Sequence, residues 1–273
     1  MFYVNKEAIL TPELLQKMIN HFVVAVQPKL EKYKNYYDGI QSILNKSYAD
    51  ESKPCNKTVV NYTKILVDNF CGYLSTPGYI SYRSNNDIED IMNILRYNDY
   101  QAEDSNLLQD ALIYGVANEL MYMDNESKTR FRLISPLMSF GVFDDSLTAD
   151  LLYFVRMYKQ NTWGNDDTYC VDVYDSHFIK HYTMEGMSGV LHSTGEEPHY
   201  FGQCPVNVFY MPDEKSIFDC IMSLQDSVNE LLSAEIDDYA AFADAYLVLE
   251  GMDAETEDIQ MMKENRVLIV PTG

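Results

Sequence analysis

The segment from Ser216 to about Ala243 constrains the chain more than any other. Its apolar positions Ile217, Ile221, Leu224, Val228, Leu231, Leu232, Ile236, Tyr239 and Phe242 recur every three or four residues, the spacing of one helical face. Ser216 with Asp219 three residues on reads as a capping-box-like start. At 1.5 Å per residue such a helix is roughly 40 Å long, longer than most helices of globular domains. Asp219, Asp226, Glu230, Glu235, Asp237 and Asp238 lie along it with almost no Lys or Arg to balance them. A helix of that length needs either a large core or a neighbouring molecule to cover its stripe.

The rest of the chain divides by periodicity. Its first third reads as helices. Thr11 is a cap followed by Pro12 at the first helical position, with Leu14, Leu15, Met18 and Ile19 at helical spacing. Further helices are expected over about 28–41, ending near Gly39, over 61–75, over 88–95 and over 102–116, the last ending beside Gly115. A Ser/Lys/Asp-rich loop covers 47–58. The pattern then changes to short strands, at 119–123, 130–134, 139–143, 151–158 and 169–174, with two more flanking the turn at 185–189. After the long helix come a strand at 246–249, a short helix at 255–264 and a strand at 267–270. The fold class is α+β: N-terminal helices, a mostly antiparallel sheet, one long amphipathic helix and a small strand–helix–strand unit.

Charge narrows the function classes. Lys and Arg total 20 against 42 Asp and Glu, a formal net charge of −22. Such a surface repels the phosphate backbone, so the basic footprint of a sequence-reading nucleic-acid binder is missing. It suits a merely soluble protein, and equally something that DNA passes without adhering. The start, MFYVNKEAILTPELL, lacks the basic region and long apolar core of a secretory signal, and no apolar run is long enough to span a bilayer. Five scattered cysteines fit reduced thiols.

Several local patterns, in order, carry a family likeness. They are Tyr36-Tyr37-Asp38-Gly39; Val60 to Asp68 followed by Gly72-Tyr73-Leu74; Ala111 to Leu120 followed by Ile134-Ser135-Pro136; Phe201-Gly202 with Pro205-Val206; and Ser223 to Asn229 with Asp244 to Gly251. Together they resemble the portal proteins of long-tailed phages that infect Gram-positive bacteria. In place of the family's Ile-Asp-x-Tyr-Asn string the chain has Leu224-Gln225-Asp226-Ser227-Val228-Asn229.

The resemblance implies a phage portal fold: a wing over 1–212, the first stem helix over 213–244 and most of a clip over 245–273. The returning stem helix, tunnel loop and crown would then be absent. It further implies a homo-oligomeric ring of about twelve subunits at one capsid vertex of the virion, assembled in the host cytoplasm. In that ring Ile217, Ile221, Leu224, Val228, Leu231 and Ile236 would meet neighbouring subunits. Asp219, Asp226, Glu230, Glu235, Asp237 and Asp238 would line the channel. The clip, with Glu250, Asp253, Glu255, Lys263 and Arg266 on its surface, would meet the terminase large subunit and then the head-completion or tail adaptor. Major capsid and scaffolding proteins are further implied partners, double-stranded DNA would pass non-specifically, and no membrane, enzyme activity or cofactor is implied.

Read without the resemblance, the acidic residues are one solvated face of an ordinary amphipathic helix. His177, His181, His192 and His199 with Cys170 and Cys204 fall in one region, but no CxxC or HExxH pattern joins them, and no metal site is expected. No phosphate loop or nucleophile elbow is present. Asp144-Asp145 and Asp166-Asp167 sit in turn-like sequence, where Asp is favoured by local hydrogen bonding. The competing functions are a carboxylate- or metal-dependent hydrolase, such as a nuclease, and an acidic adaptor without a channel.

Overall fold

The computed structural model describes residues 2–49, 53–75, 80–160, 163, 167–243, 247–250 and 267–270, and its chain forms two compact units. The larger comprises Met1–Asp38 and Tyr62–Cys220, the smaller Gly39–Asn61 and Ile221–Gly273. The helices are α1 (Pro12–His21), α2 (Gln27–Asp38), α3 (Tyr62–Leu74), α4 (Glu89–Tyr97), α5 (Tyr100–Tyr114) and α6 (Met222–Ala243). The strands are β1 (Phe2–Val4), β2 (Val116–Met123), β3 (Thr129–Ile134), β4 (Ser139–Asp144), β5 (Leu151–Lys159), β6 (Thr168–Tyr174), β7 (Phe178–Glu185), β8 (His192–Pro198), β9 (Val206–Tyr210), β10 (Leu247–Glu250) and β11 (Val267–Val270).

In the larger unit the expected caps and periods produce the expected helices. Thr11 caps α1, its hydroxyl oxygen accepting the Leu14 N–H, with Pro12 in the first turn. A π-helical turn over Phe22–Val26 joins α1 to α2. The tyrosine pair at the end of α2 points inward: Tyr36 and Tyr37 are buried. The Tyr37 hydroxyl donates to Asp68 of α3 at 2.7 Å and accepts from Lys64 at 3.1 Å and from Gln109 of α5 at 2.5 Å. Thr63 donates to the Tyr36 carbonyl at 2.8 Å. Two of the sequence patterns, the tyrosine pair and the start of α3, are thus one hydrogen-bonded joint between three helices.

Helix α5 stops at Gly115, whose φ of 78° is left-handed. A Cβ there would stand 2.6 Å from the backbone of Glu214 and Lys215, so glycine serves both the turn and the close approach. From it β2 enters an antiparallel three-stranded sheet of order β3-β2-β9. The second sheet has order β1-β4-β5-β6-β7-β8 and is antiparallel except where β1 lies parallel to β4. Strand β4, SFGVFD, is buried at every residue. Leu120, Ile134, Phe154, Tyr174, Cys204 and Val206, drawn from both sheets and the approach to β9, form a common core. Strands β1 and β9 lie outside the sequence expectation. β1 is three residues long, and β9 follows directly on Pro205 with too few residues to display a clear period.

The smaller unit contains α6, a 3₁₀ turn over Ser42–Asn45 and the parallel pair β10–β11, in which Leu247 stands opposite Val267. The helix expected at 255–264 lies outside the described residues.

Candidate functional site: the long helix and the segment beside it

Helix α6 begins at Met222, six residues later than the capping box suggests. Ser216 is buried and engaged elsewhere: its hydroxyl donates to the Leu112 carbonyl at 3.0 Å, and the Ile217 N–H donates to the same oxygen. Residues 219–221 form a 3₁₀ turn. Ile217 and Asp219 therefore belong to the larger unit and not to the helix. Asp219 accepts the Tyr33 hydroxyl at 2.6 Å, beside the edge-to-face pair of Tyr33 and Phe218. Burial, and then this carboxylate, hold the Tyr33 phenol well above its usual range.

Along α6 itself the buried stripe is polar. Gln225, Asn229, Ser233 and Asp237 stand four residues apart, which places them on one face, and all four are buried. The segment at 56–60 satisfies them. The Asn56 N–H donates to Asp237 at 2.6 Å, the Thr58 N–H to Ser233 at 3.0 Å and the Val60 N–H to Asn229 at 3.0 Å, while Gln225 donates to the Val60 carbonyl. Two residues of extended chain advance about 6.6 Å, and four residues of helix about 6.0 Å. Alternate backbone N–H groups thus meet every fourth side chain without losing step. Among the described residues the segment has no strand partner, and its ladder is made of side chains. Its first part, 56–58, belongs to the stretch that the sequence reads as a Ser/Lys/Asp-rich loop, and Val60 opens the pattern that runs to Asp68.

Asp237 closes this ladder. Besides the Asn56 N–H it accepts the Asn56 amide at 2.9 Å, the Tyr48 hydroxyl at 3.1 Å and Lys46 at 3.3 Å. The Asn56 backbone donor is the largest of the causes that lower its pKa to about 2. Sequence places Asp237 with the channel acids; the structure instead spends its charge inside the smaller unit. Its folded pKa lies below the usual 3.8 of an aspartate, so its contribution to stability is present above about pH 4 and is lost as pH falls toward 2. Acid titration followed by amide exchange at Asn56 should therefore show protection falling in that window, and an Asp237→Asn variant should lack the step.

The opposite side of α6 is apolar and exposed. Leu224 is 63%, Leu231 68% and Tyr239 67% accessible, while Ile236, seven residues on from Asn229 and so beside the polar stripe, is 39% accessible. Ile221 and Val228 are half-buried. Glu235 and Asp238 are exposed among them, Glu230 pairs with Lys46 at 3.4 Å, and Asp226 accepts the Ser42 hydroxyl at 2.6 Å. Of the expected clip residues, the backbone of Glu250 is placed in β10; Asp253, Glu255, Lys263 and Arg266 lie outside the described residues. Sequence reasoning passed over Gln225, Asn229 and Ser233. The available signal was the four-residue spacing of hydrogen-bonding side chains that continues to Asp237.

The histidines have separate partners: His181 Nδ1 lies 2.8 Å from Asp172, His199 Nε2 2.9 Å from the Asp175 carbonyl and His177 Nδ1 2.6 Å from the Ser176 hydroxyl. Among the described residues no group of three or more His, Cys, Asp or Glu side chains is arranged to hold a metal. Asp144 ends β4, and its Oδ1 holds the turn that follows by accepting from Ser146 and the Asp150 N–H. No helix among the described residues is long and apolar enough to cross a membrane.

A family model described as phage portal protein, SPP1 Gp6-like, matches residues 23–272, which takes in nearly all of both units. No curated protein matches the chain.

Proposed function

The chain belongs to the phage portal protein family, SPP1 Gp6-like, and on that premise we propose that its copies close into a ring whose central channel carries DNA during packaging and ejection. The observation that supports this most is the orientation of α6. Its polar stripe is consumed within the subunit, so its apolar stripe, with Leu224 and Leu231 outward, is left for another surface. A subunit that satisfies its buried polar groups and leaves apolar ones outside is built for association.

In this reading Leu224, Val228, Leu231 and Ile236 meet the adjacent subunit. Glu230 faces the channel with Asp226 at its edge, and Glu235 and Asp238, which share the face of Leu231, reach it from the margin of that contact. Carboxylates there repel phosphate, and a chain of net charge −22 adds no basic track on which DNA would stall. The channel confines DNA without binding it. The clip, with Glu250, Asp253, Glu255, Lys263 and Arg266, meets the terminase large subunit during packaging and the head-completion or tail adaptor afterwards; ATP hydrolysis belongs to the terminase. Capsid and scaffolding proteins surround the ring at one vertex, and assembly takes place in the host cytoplasm before the particle is complete.

The test is the mass of the purified protein in solution, by native mass spectrometry with negative-stain images beside it. Closed rings of about a dozen subunits with a central hole are expected, in keeping with the preference of homo-oligomers for closed symmetry. A monomer at tens of micromolar would overturn the ring.

A further inference from the structure

The larger unit carries a cleft of about 590 Å³ between the β2–β3 hairpin and the outer strands β6, β7 and β8. Its volume falls within the range of pockets that enclose a ligand of a few residues. The floor is charged and largely self-satisfied. Asp172 on β6 is almost wholly buried; its Oδ1 lies 2.8 Å from His181 Nδ1 and its Oδ2 3.5 Å from the Arg156 guanidinium. Arg156 is held a second time, over the Tyr158 ring at 4.4 Å. At the lip, Glu197 stands 3.7 Å from His181 Nε2.

Arg132 breaks this balance. It lines the same cleft from β3, opposite Leu120 in the strand register, and among the described residues its side chain makes no ion pair or hydrogen bond. By contrast, Arg96 pairs with Glu89 and Arg130 with Asp124. In a chain with 42 acidic and 20 basic residues, this exposed guanidinium at the cleft has no carboxylate of its own among the described residues and is open to one from outside the subunit. The walls beside it are apolar and accessible: Tyr122 is 39%, Met123 47% and Tyr200 88% exposed.

We propose that this cleft docks a short segment of a partner protein presenting one acidic residue beside an aromatic or large aliphatic one. The guanidinium fork matches a carboxylate bidentately, and the tyrosine and methionine walls take the apolar neighbour. Glu197 and Asp172 set the limit: a run of acids would bring like charges together, so a single carboxylate is selected. A DNA backbone is repelled by the chain's net charge and by Asp172 and Glu197 in the cleft, so it is not the ligand. The proposal stands on the larger unit alone and does not depend on ring formation.

An array of blocked hexapeptides tests it, combining Phe, Tyr, Trp, Leu or Met with Asp, Glu, Asn, Lys or phosphoserine at each spacing. Full-length protein is applied at two salt concentrations. Enrichment of peptides with one acid beside one large apolar residue is expected, with the Asn and Lys counterparts blank. Anisotropy with the best peptide should weaken about tenfold in Arg132→Gln and less in Arg132→Lys, which keeps charge but loses the fork. Arg132 is exposed, so both variants should fold, and an unchanged thermal midpoint checks this. Equal binding of the Asn counterparts, preference for phosphoserine, an empty array, or undiminished affinity in Arg132→Gln would each overturn the proposal. Ring mass is measured separately, so a failed cleft and a failed ring are told apart.

Discussion

Replacing Asn229 with leucine, a side chain of similar size, is expected to destabilise the unit that contains α6 by about 3 kcal/mol. Asn229 is fully buried. Its oxygen accepts the Val60 N–H and the Gln225 amide, each at 3.0 Å, and its nitrogen donates to Gln41. Leucine leaves a backbone donor orphaned and takes a partner from each of two buried amides. Each buried polar group stripped of a partner costs about 1–3 kcal/mol, and the added apolar contact recovers only part of that. Ser233→Ala removes one acceptor, that of the Thr58 N–H, and should cost about 1 kcal/mol. Denaturant unfolding of both variants gives the ranking. Amide exchange should show Val60 losing protection in the first and Thr58 in the second, with the Tyr37 joint of the larger unit unaffected. Leucine tolerated at position 229 without loss would mean that apolar packing, and not the ladder, holds 56–60 against the helix.

That ladder also marks where sequence reasoning stopped. Local signals carried most of the fold: Thr11-Pro12 set the start of α1, Gly39 and Gly115 the ends of α2 and α5, and alternation found six strands within a residue or two and the seventh, β2, from its fourth residue. The period of α6 was legible too, but period alone does not say which face turns inward. The usual inference, apolar in and polar out, fails for α6 within the subunit. Here the polar face packs first, on a segment some 170 residues earlier in the chain whose loop-like composition shows no period. The start of α6 was misplaced for a related reason. Ser216 has the identity of a cap, yet tertiary contact with Leu112 captures its hydroxyl. Asp237 reads as one more acid in an acidic run; only the donors converging on it, from Lys46, Tyr48 and Asn56, separate it from Glu235 and Asp238. The cleft at Arg132 was invisible because its charges come from four strands, and no linear spacing records their meeting.

Because the polar ladder fixes which way α6 faces, substitutions on its outer side should separate association from folding. Leu224→Glu with Leu231→Glu is expected to leave the subunit intact and abolish the ring. Both side chains are nearly two-thirds exposed, so the subunit's own stability should move by no more than about 0.5 kcal/mol per site. In a ring each interface would lose the burial of a leucine pair, about 1.5–3 kcal/mol per side chain, and would have to accommodate a charge beside Glu235 and Asp238. A loss of about 3 kcal/mol per interface raises the concentration needed for association more than 100-fold, and a closed ring multiplies that penalty over every contact. Light scattering should therefore report monomers or small oligomers at concentrations where the unaltered chain forms rings, with circular dichroism and the thermal midpoint unchanged. Leu224→Met with Leu231→Met, which keeps apolar surface, should still assemble. If the glutamate variant formed normal rings, the outer face of α6 would be turned toward solvent or the channel, and the subunit contacts would have to be sought in the larger unit.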